Sequence, residues 1–166
     1  YVARRGLSVA MIPYASMADL SELKNRVALF REALPPGANV RVAAAFHIFV
    51  GRDPRPGLAA LRTYLGERLS TQSTHYASRA GEDPQGSSAE GLVSRGLALV
   101  GRPEEVLAQV RAIEATGVTD LFGIFDFGGL SPARSRASLR RFAALIGLPT
   151  GKQDAATAEA PGRPGP

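Results

Sequence analysis

Residues 40–50, VRVAAAFHIFV, form the clearest strand of the sequence and decide its fold class. This apolar run contains no helix breaker, and it ends only where Gly51 and Pro54 follow it. A strand that is apolar on both faces is buried on both, which is typical of parallel sheets covered by helices. The stretch therefore predicts an α/β fold.

A shorter apolar run lies upstream, at residues 7–14, and predicts a buried strand that ends at Pro13. A helix is expected next, because Ser16 and Asp19 resemble a capping box. Apolar side chains then recur at helical spacing, at Leu20, Leu23, Val27, Phe30 and Leu34, until Pro35, Pro36 and Gly37 end the pattern.

Downstream, a second helix is expected at 58–69 and a polar loop or insertion at 71–90, where glycine, proline and serine accumulate. Pro103, followed by two glutamates, predicts the start of a further helix. Its apolar stripe is Val106, Val110 and Ile113.

Residues 120–127 predict a third strand, and Ser131-Pro132 opens a last helix through Leu145. Leu139, Phe142 and Leu145 are expected to face inward from that helix. Residues 150–166 are dominated by Ala, Gly, Pro and Asp and predict a disordered tail. The resulting three βα units fit either a doubly wound sheet or part of a (β/α)8 barrel, which periodicity alone does not separate.

Composition excludes several classes of protein. The chain has 166 residues, of which 45% are hydrophobic and 21% charged, as expected for one globular unit with a core. It has no cysteine, which excludes disulfides, thiolate catalysis and Cys-ligated metals, and its two histidines lie far apart, which argues against any metal site. No apolar run approaches the roughly 18 residues of a membrane span, so we expect a cytoplasmic protein without a membrane partner.

The net charge of +5 comes from many arginines and only two lysines. Because the arginines are spread along the chain without interleaved aromatics, we expect a solvated surface and no nucleic-acid partner. The glycine-rich dinucleotide motif, the phosphate loop and the Gly-x-Ser-x-Gly elbow are absent from the sequence. Their absence argues against a nucleotide-binding domain, an NTPase and an α/β-hydrolase.

Several stretches, in order, resemble the end of a luciferase-like flavin-dependent monooxygenase. Residues 1–7, YVARRGL, resemble the entry to the sixth barrel strand of that family, and residues 47–51, HIFVG, resemble its seventh strand. Residues 100–106, VGRPEEV, are similar to its recurrent Gly-x-Pro-Glu-x-Val helix start. Residues 125–130, FDFGGL, are the most specific match and resemble the last strand and glycine turn, with Ser138, Leu139 and Phe142 in the closing helix.

This resemblance covers residues 1–149 and implies a partial barrel domain. The expected fold is the C-terminal portion, about three βα units, of a (β/α)8 TIM-type barrel, since a complete barrel takes about 250 residues. The family holds a reduced flavin (FMN) or deazaflavin at the C-terminal mouth, where the flavoprotein acts on oxygen and a small organic substrate. The family's catalytic histidine and most of its flavin-phosphate site belong to barrel segments that this chain does not match, so no catalytic base is assigned.

His47 and Asp126 are the first candidate site residues, as substrate-binding groups. His47 shares a strand face with Ala43, Ala45 and Phe49, and we expect it to point into the barrel near its mouth. Asp126 follows on the last strand, where a buried carboxylate needs a partner, so the two side chains are expected to pair. The alternative is a core histidine and an aspartate that caps the turn at Gly128.

Tyr14, Gly128 and Gly129 complete the candidate set. Tyr14 ends the first strand and is expected to be an aromatic wall for the substrate or flavin, with a packing role as the alternative. Gly128 and Gly129 are candidate cofactor-binding residues because glycine lets a backbone approach a ligand closely, although a left-handed turn explains them equally well. His75 lies in the polar region and is expected to be solvated.

Three functional hypotheses follow. The first is a flavin-dependent oxidoreductase fragment that contributes the substrate-side mouth of the barrel and is inactive alone. The second is a non-catalytic flavin-binding or interaction protein derived from the same fold, and the third is an unrelated α/β domain. An open barrel edge with apolar strands needs a partner, which we expect to be the missing barrel half or a second copy of the chain.

Overall fold

A central strand with neighbours on both sides organises the fold. The structure is a computed structural model that describes residues 1–72 and 88–148. Its sheet consists of β1 (Val9–Met11), β2 (Val42–Val50), β3 (Leu99–Gly101) and β4 (Asp120–Ile124). Strand β2 pairs in parallel with each of the other three. The predicted α/β fold with a parallel sheet is confirmed.

Helices connect these parallel strands. They are α1 (Pro13–Ser16), α2 (Leu20–Glu32), α3 (Arg55–Gln72), α4 (Ala89–Ser94), α5 (Pro103–Glu114) and α6 (Pro132–Leu145), preceded by a 3-10 turn at Ala3–Arg5. Within the two described segments, no helix has both the length and the apolar character needed to cross a membrane.

Strand β2 is buried on both faces, as its sequence predicts. One face carries five side chains with no exposed surface, namely Val42, Ala44, Phe46, Ile48 and Val50. They belong to one core cluster with the apolar residues of α2, α5 and α6. The opposite face carries Ala43, His47 and Phe49, which are also buried.

The N-terminal ends of β2 and β4 fix the register of the sheet. Thr119 donates its backbone N–H to the Val42 carbonyl at 2.8 Å and accepts the Val42 N–H on its side-chain oxygen at 2.8 Å. Beside them, Arg41 forms an ion pair with Asp120. In this register His47 lies opposite Ile124, near the C-terminal end of the sheet.

Several predicted boundaries are wrong. The first strand is shorter than 7–14, because Pro13 has no backbone N–H to donate and instead begins α1. The N-cap of α2 is Asp19 and not Ser16, since Asp19 Oδ1 accepts the N–H groups of Ser21 at 2.8 Å and Glu22 at 3.1 Å. Strand β4 ends at Ile124, three residues before the predicted end of 120–127.

The C-terminal half follows the prediction more closely. Helix α6 spans the predicted residues and is capped by Ser131, whose hydroxyl accepts the Arg134 N–H. Phe142 is buried and Leu145 packs against the core, but Leu139 is 46% exposed, so its predicted inward orientation is wrong. The physical reason is the position of Leu139 next to Ser138, which occupies the face that meets β2.

Both ends of the predicted polar loop at 71–90 are helical. Helix α3 continues to Gln72, and α4 begins at Ala89. Residues 73–87, which include His75, lie outside the described residues, as does the predicted tail at 150–166. Helix α4 and strand β3 were not predicted from the sequence.

Candidate functional site

Three aromatic rings surround His47 at the C-terminal end of β2. The imidazole is 1% exposed, and its ring centroid lies 4.8 Å from that of Tyr14, 4.4 Å from that of Tyr64 and 5.0 Å from that of Phe127. The Tyr14 and Phe127 rings meet the imidazole edge to face. We call these four residues the aromatic cluster.

The topology of the sheet brings the aromatic cluster together. Tyr14 lies in α1, directly after β1, and Phe127 lies three residues after β4. Because parallel strands end at the same edge of the sheet, residues that follow β1, β2 and β4 meet there. Tyr64 comes from α3, the helix that follows β2, and completes the cluster.

The imidazole of His47 has a buried polar atom without a partner. No group in the described part of the chain forms a hydrogen bond with its Nδ1 atom. Burial, reinforced by the positive charge of Arg68, lowers the pKa of His47 from its ordinary value to about 4. His47 is therefore neutral near pH 7, and its Nδ1 atom is a buried hydrogen-bonding atom without a partner among the described residues.

Two tyrosine hydroxyls form the polar part of the aromatic cluster. The hydroxyl oxygens of Tyr14 and Tyr64 share a hydrogen bond of 2.6 Å. Burial and this hydrogen bond raise the pKa of Tyr14 to about 12, against the opposing effect of Arg68. The Arg68 guanidinium lies 4.7 Å from the centroid of the Tyr14 ring, as in a cation–π contact. Both the phenol of Tyr14 and the imidazole of His47 are thus uncharged near neutral pH.

The predicted pair of His47 and Asp126 does not fit the geometry. Asp126 is exposed, and the charged group that acts on His47 is Arg68. The physical reason is that β4 ends at Ile124, so the alternation of strand faces no longer determines where Asp126 points. The expectation of a buried carboxylate at Asp126 is therefore wrong.

The glycine turn after β4 packs against helix α3. Gly128 and Gly129 both have positive φ angles, of 54° and 74°, and Leu130 donates its N–H to the Phe127 carbonyl across the turn at 3.2 Å. A Cβ atom on Gly128 would lie 1.7 Å from the Ala60 carbonyl oxygen. The backbone at Gly128 therefore lies close to α3, whereas the space beside Gly129 is open.

Solved structures match this arrangement of strands and helices over part of their length. The monooxygenase RslO1 from Streptomyces bottropensis is 20% identical, with a TM-score of 0.57, over 87% of this chain and 42% of its own. MsnO8, solved in its apo form, is 19% identical, with a TM-score of 0.60, over 90% of this chain and 48% of its own. No protein-family model and no curated protein matches the sequence.

The chain has the fold of part of these two structures, an α/β arrangement with a parallel sheet. It spans less than half the length of either solved structure. At these identities the likeness concerns the fold, and it agrees with the expectation of a partial (β/α)8 barrel.

In this fold, two members of the aromatic cluster were predicted from the sequence and two were not. Tyr14 and His47 were identified from their places at strand ends, and the structure brings them together. Tyr64 was missed, although Tyr64 and Arg68 lie one turn apart on a predicted helix. Phe127 was assigned only to a family motif. Among residues 1–72 and 88–148, no group of potential ligands is arranged to hold a metal ion.

Proposed function

We propose that this chain contributes the substrate-side mouth of a flavin-dependent oxidoreductase, a luciferase-like monooxygenase. The observation that carries the proposal is the buried His47, with its unpartnered Nδ1, at the edge where β1, β2 and β4 end. Active groups of (β/α)8 barrels lie at the C-terminal ends of the strands. The fold likeness to RslO1, a monooxygenase, supports the same reaction class.

The aromatic cluster is suited to an uncharged, planar organic substrate. Tyr14 and Tyr64 are partly exposed and offer ring faces and edges, which favour stacked or edge-to-face contacts with another ring. His47 and Tyr14 add hydrogen-bonding groups without charge, because the pKa of one is lowered and that of the other is raised. Such a site binds polar atoms of a ring while it excludes water and ions.

The proposed cofactor is a reduced flavin, FMN or deazaflavin, which when bound supplies the electrons for the reaction with oxygen or substrate. The orphaned Nδ1 of His47 fits the hydrogen-bonding edge of such a ring system. The open space beside Gly129 also allows close approach of a ligand to the backbone. Gly128 is not part of this proposal, because Ala60 fills the corresponding space.

The proposed partner is the remainder of the barrel, on the same or a separate polypeptide. Phe122 lies opposite Ala45 on the sheet face that carries His47, yet it is 55% exposed. An exposed aromatic ring on an inner sheet face indicates that another apolar surface covers it. Further strands of a (β/α)8 barrel supply such a surface.

A second candidate function is that of a non-catalytic flavin-binding or interaction protein with the same fold. The observation that favours it is the burial of His47 beneath three rings. A reacting group needs access to its substrate, whereas a packing histidine does not.

One experiment separates the two functions. In a complete barrel that contains this chain, reduced-flavin-dependent oxygen consumption is measured for His47→Gln and, as a matched control, His75→Gln. The proposal predicts that His47→Gln lowers kcat/KM at least tenfold, the effect of losing about 1.4 kcal/mol of transition-state binding. The control is expected to retain the original kcat/KM.

The non-catalytic alternative makes the opposite prediction. In that case His47→Gln lowers the free energy of unfolding, while the folded fraction consumes oxygen no differently from the His75→Gln control. Unchanged kinetics in a correctly folded His47→Gln protein would therefore refute the proposed role of His47.

A further inference from the structure

A second concave site lies apart from the aromatic cluster. It is a cavity of about 320 Å³ between the C-terminal end of β2 and helix α6. Three arginines line it, Arg52 in the loop after β2 and Arg134 and Arg141 on α6, and the buried ring of Phe49 forms part of its wall. The cavity shares no residue with the aromatic cluster.

The charge of this cavity is positive. Asp53 is the acidic residue among its described lining, and Arg55 already neutralises it through hydrogen bonds of 2.9 Å to both carboxylate oxygens. These bonds lower the pKa of Asp53, so its negative charge persists and stays paired. Arg52 and Arg134 form no ion pair within the part of the chain that the structure describes.

Two further features of this cavity favour the binding of an anion. The Arg141 Nη1 atom donates to the Val50 carbonyl at 3.4 Å, which holds that guanidinium near the end of β2. Ala133 and Arg134 belong to the first turn of α6, where the helix dipole is positive. The volume lies near the lower end of the range for small-molecule sites, about 300 Å³.

We propose that this cavity binds a phosphate group, carried by a small phosphate monoester. Guanidinium groups suit phosphate because their planar array of N–H donors matches two phosphate oxygens at once. Three guanidinium groups around one concavity carry more positive charge than a monoester carries negative charge. Asp53 does not cancel this excess, because its own charge is paired with Arg55. This inference does not depend on the proposed oxidoreductase function.

The test is isothermal titration calorimetry of the 166-residue chain at constant ionic strength. Ribose 5-phosphate and inorganic phosphate are the two probes, and both should bind saturably, with the monoester binding more tightly. Arg134→Gln should weaken the monoester at least about tenfold, the effect of one hydrogen bond between charged groups. Arg140→Gln is the matched control, because Arg140 lies on the same helix outside the cavity lining.

A second variant tests the sign of the charge effect. Asp53→Asn removes the acidic group from the lining and should tighten monoester binding. Equal affinities for the two probes would overturn the monoester and leave a site for free phosphate. Equal losses in Arg134→Gln and Arg140→Gln, or a titration without saturation, would show diffuse attraction to a basic surface and overturn the site itself.

Discussion

The His47 side chain is buried, yet its Nδ1 atom forms no hydrogen bond within the described residues. A buried polar atom without a partner costs roughly 1–3 kcal/mol, so such atoms are rare in folded proteins. The imidazole tolerates the missing hydrogen bond because it stays neutral. The surrounding rings of Tyr14, Tyr64 and Phe127 pack against it instead. Its neutrality has a measurable consequence for stability.

The free energy of unfolding should fall as the pH is lowered below 6.5. Unfolding returns the pKa of His47 from about 4 to its ordinary 6.5, so between these values the unfolded chain binds a proton that the folded chain excludes. This group alone should reduce the free energy of unfolding by about 2 kcal/mol between pH 7 and pH 5. Urea unfolding of the original chain and of His47→Gln measures the contribution as a difference.

Two variants identify the charge that acts on His47. Arg68→Gln should raise the pKa of His47 toward its ordinary value and shrink the pH effect, because Arg68 opposes protonation. Asp126→Asn should leave the effect unchanged, since the exposed Asp126 does not act on the imidazole. A larger response to Asp126→Asn than to Arg68→Gln would restore the predicted pair.

The two turn glycines should respond differently to alanine. Gly129→Ala places a side chain in open space and should cost about 1 kcal/mol, the penalty of a left-handed backbone conformation. Gly128→Ala meets the same penalty and also forces a Cβ atom against Ala60, so it should cost several kcal/mol more. Urea unfolding compares the two, and equal losses would mean that α3 does not contact the turn.

Sequence could identify His47 and Tyr14 but not the neighbouring Tyr64, Phe127 and Arg68. The alternation of a long, uninterrupted strand places His47 on a definite face, whereas Asp126 lies beyond the end of a short strand, where alternation fails. Tyr64 and Arg68 come to His47 from α3, the helix that also packs against the turn at Gly128. That contact depends on tertiary structure, which local spacing does not encode.

At the scale of elements, one hydrogen bond joins α6 to the central strand. The buried Ser138 hydroxyl accepts the Val50 N–H at 2.9 Å. Ser135, one turn earlier, is also buried, but its hydroxyl has no partner among the described residues. Two buried serine hydroxyls on one helix therefore differ in whether they form a hydrogen bond with another element.

Ser138→Ala should destabilise the chain, and Ser135→Ala should not. The first substitution leaves a buried N–H of Val50 unsatisfied, which costs about 1–3 kcal/mol. The second removes a hydroxyl that forms no bond, so it should be neutral or slightly stabilising. Urea unfolding of both variants checks this, and similar losses would argue against the α6–β2 hydrogen bond.

Local chemistry explains which elements could be predicted. Ser131 and Pro132 define the start of α6 because a hydroxyl cap and a first-turn proline have local effects. Strand β3 was missed because its three residues, Leu99–Gly101, are too few to show a period and form a strand only by pairing with β2. The apolar run before Gly101 was the available signal.

At the scale of the whole molecule, the unusual feature is an exposed aromatic ring on the inner face, the sheet face that carries His47. Most of β2 is buried on both faces, yet Phe122 on the adjoining strand β4 is largely exposed. The order of the family-like stretches predicted a partial barrel, and the solved structures match over less than half their length. The sequence could not indicate that Phe122 is exposed, because the exposure of a strand face depends on the other elements of the fold.

The isolated chain should associate with itself through this inner face when no complementary barrel half is present. Phe122 is 55% exposed on the sheet face, whereas Leu29 is 66% exposed on helix α2, so the two offer similar apolar side chains on different surfaces. Sedimentation velocity over a concentration series should show association that Phe122→Glu weakens and Leu29→Glu leaves unchanged, because a buried, unpaired carboxylate is costly. Co-expression with the remaining strands of a barrel should suppress the self-association by occupying the same face. A chain that stays monomeric throughout, or one that responds equally to both substitutions, would contradict a partner at the inner face.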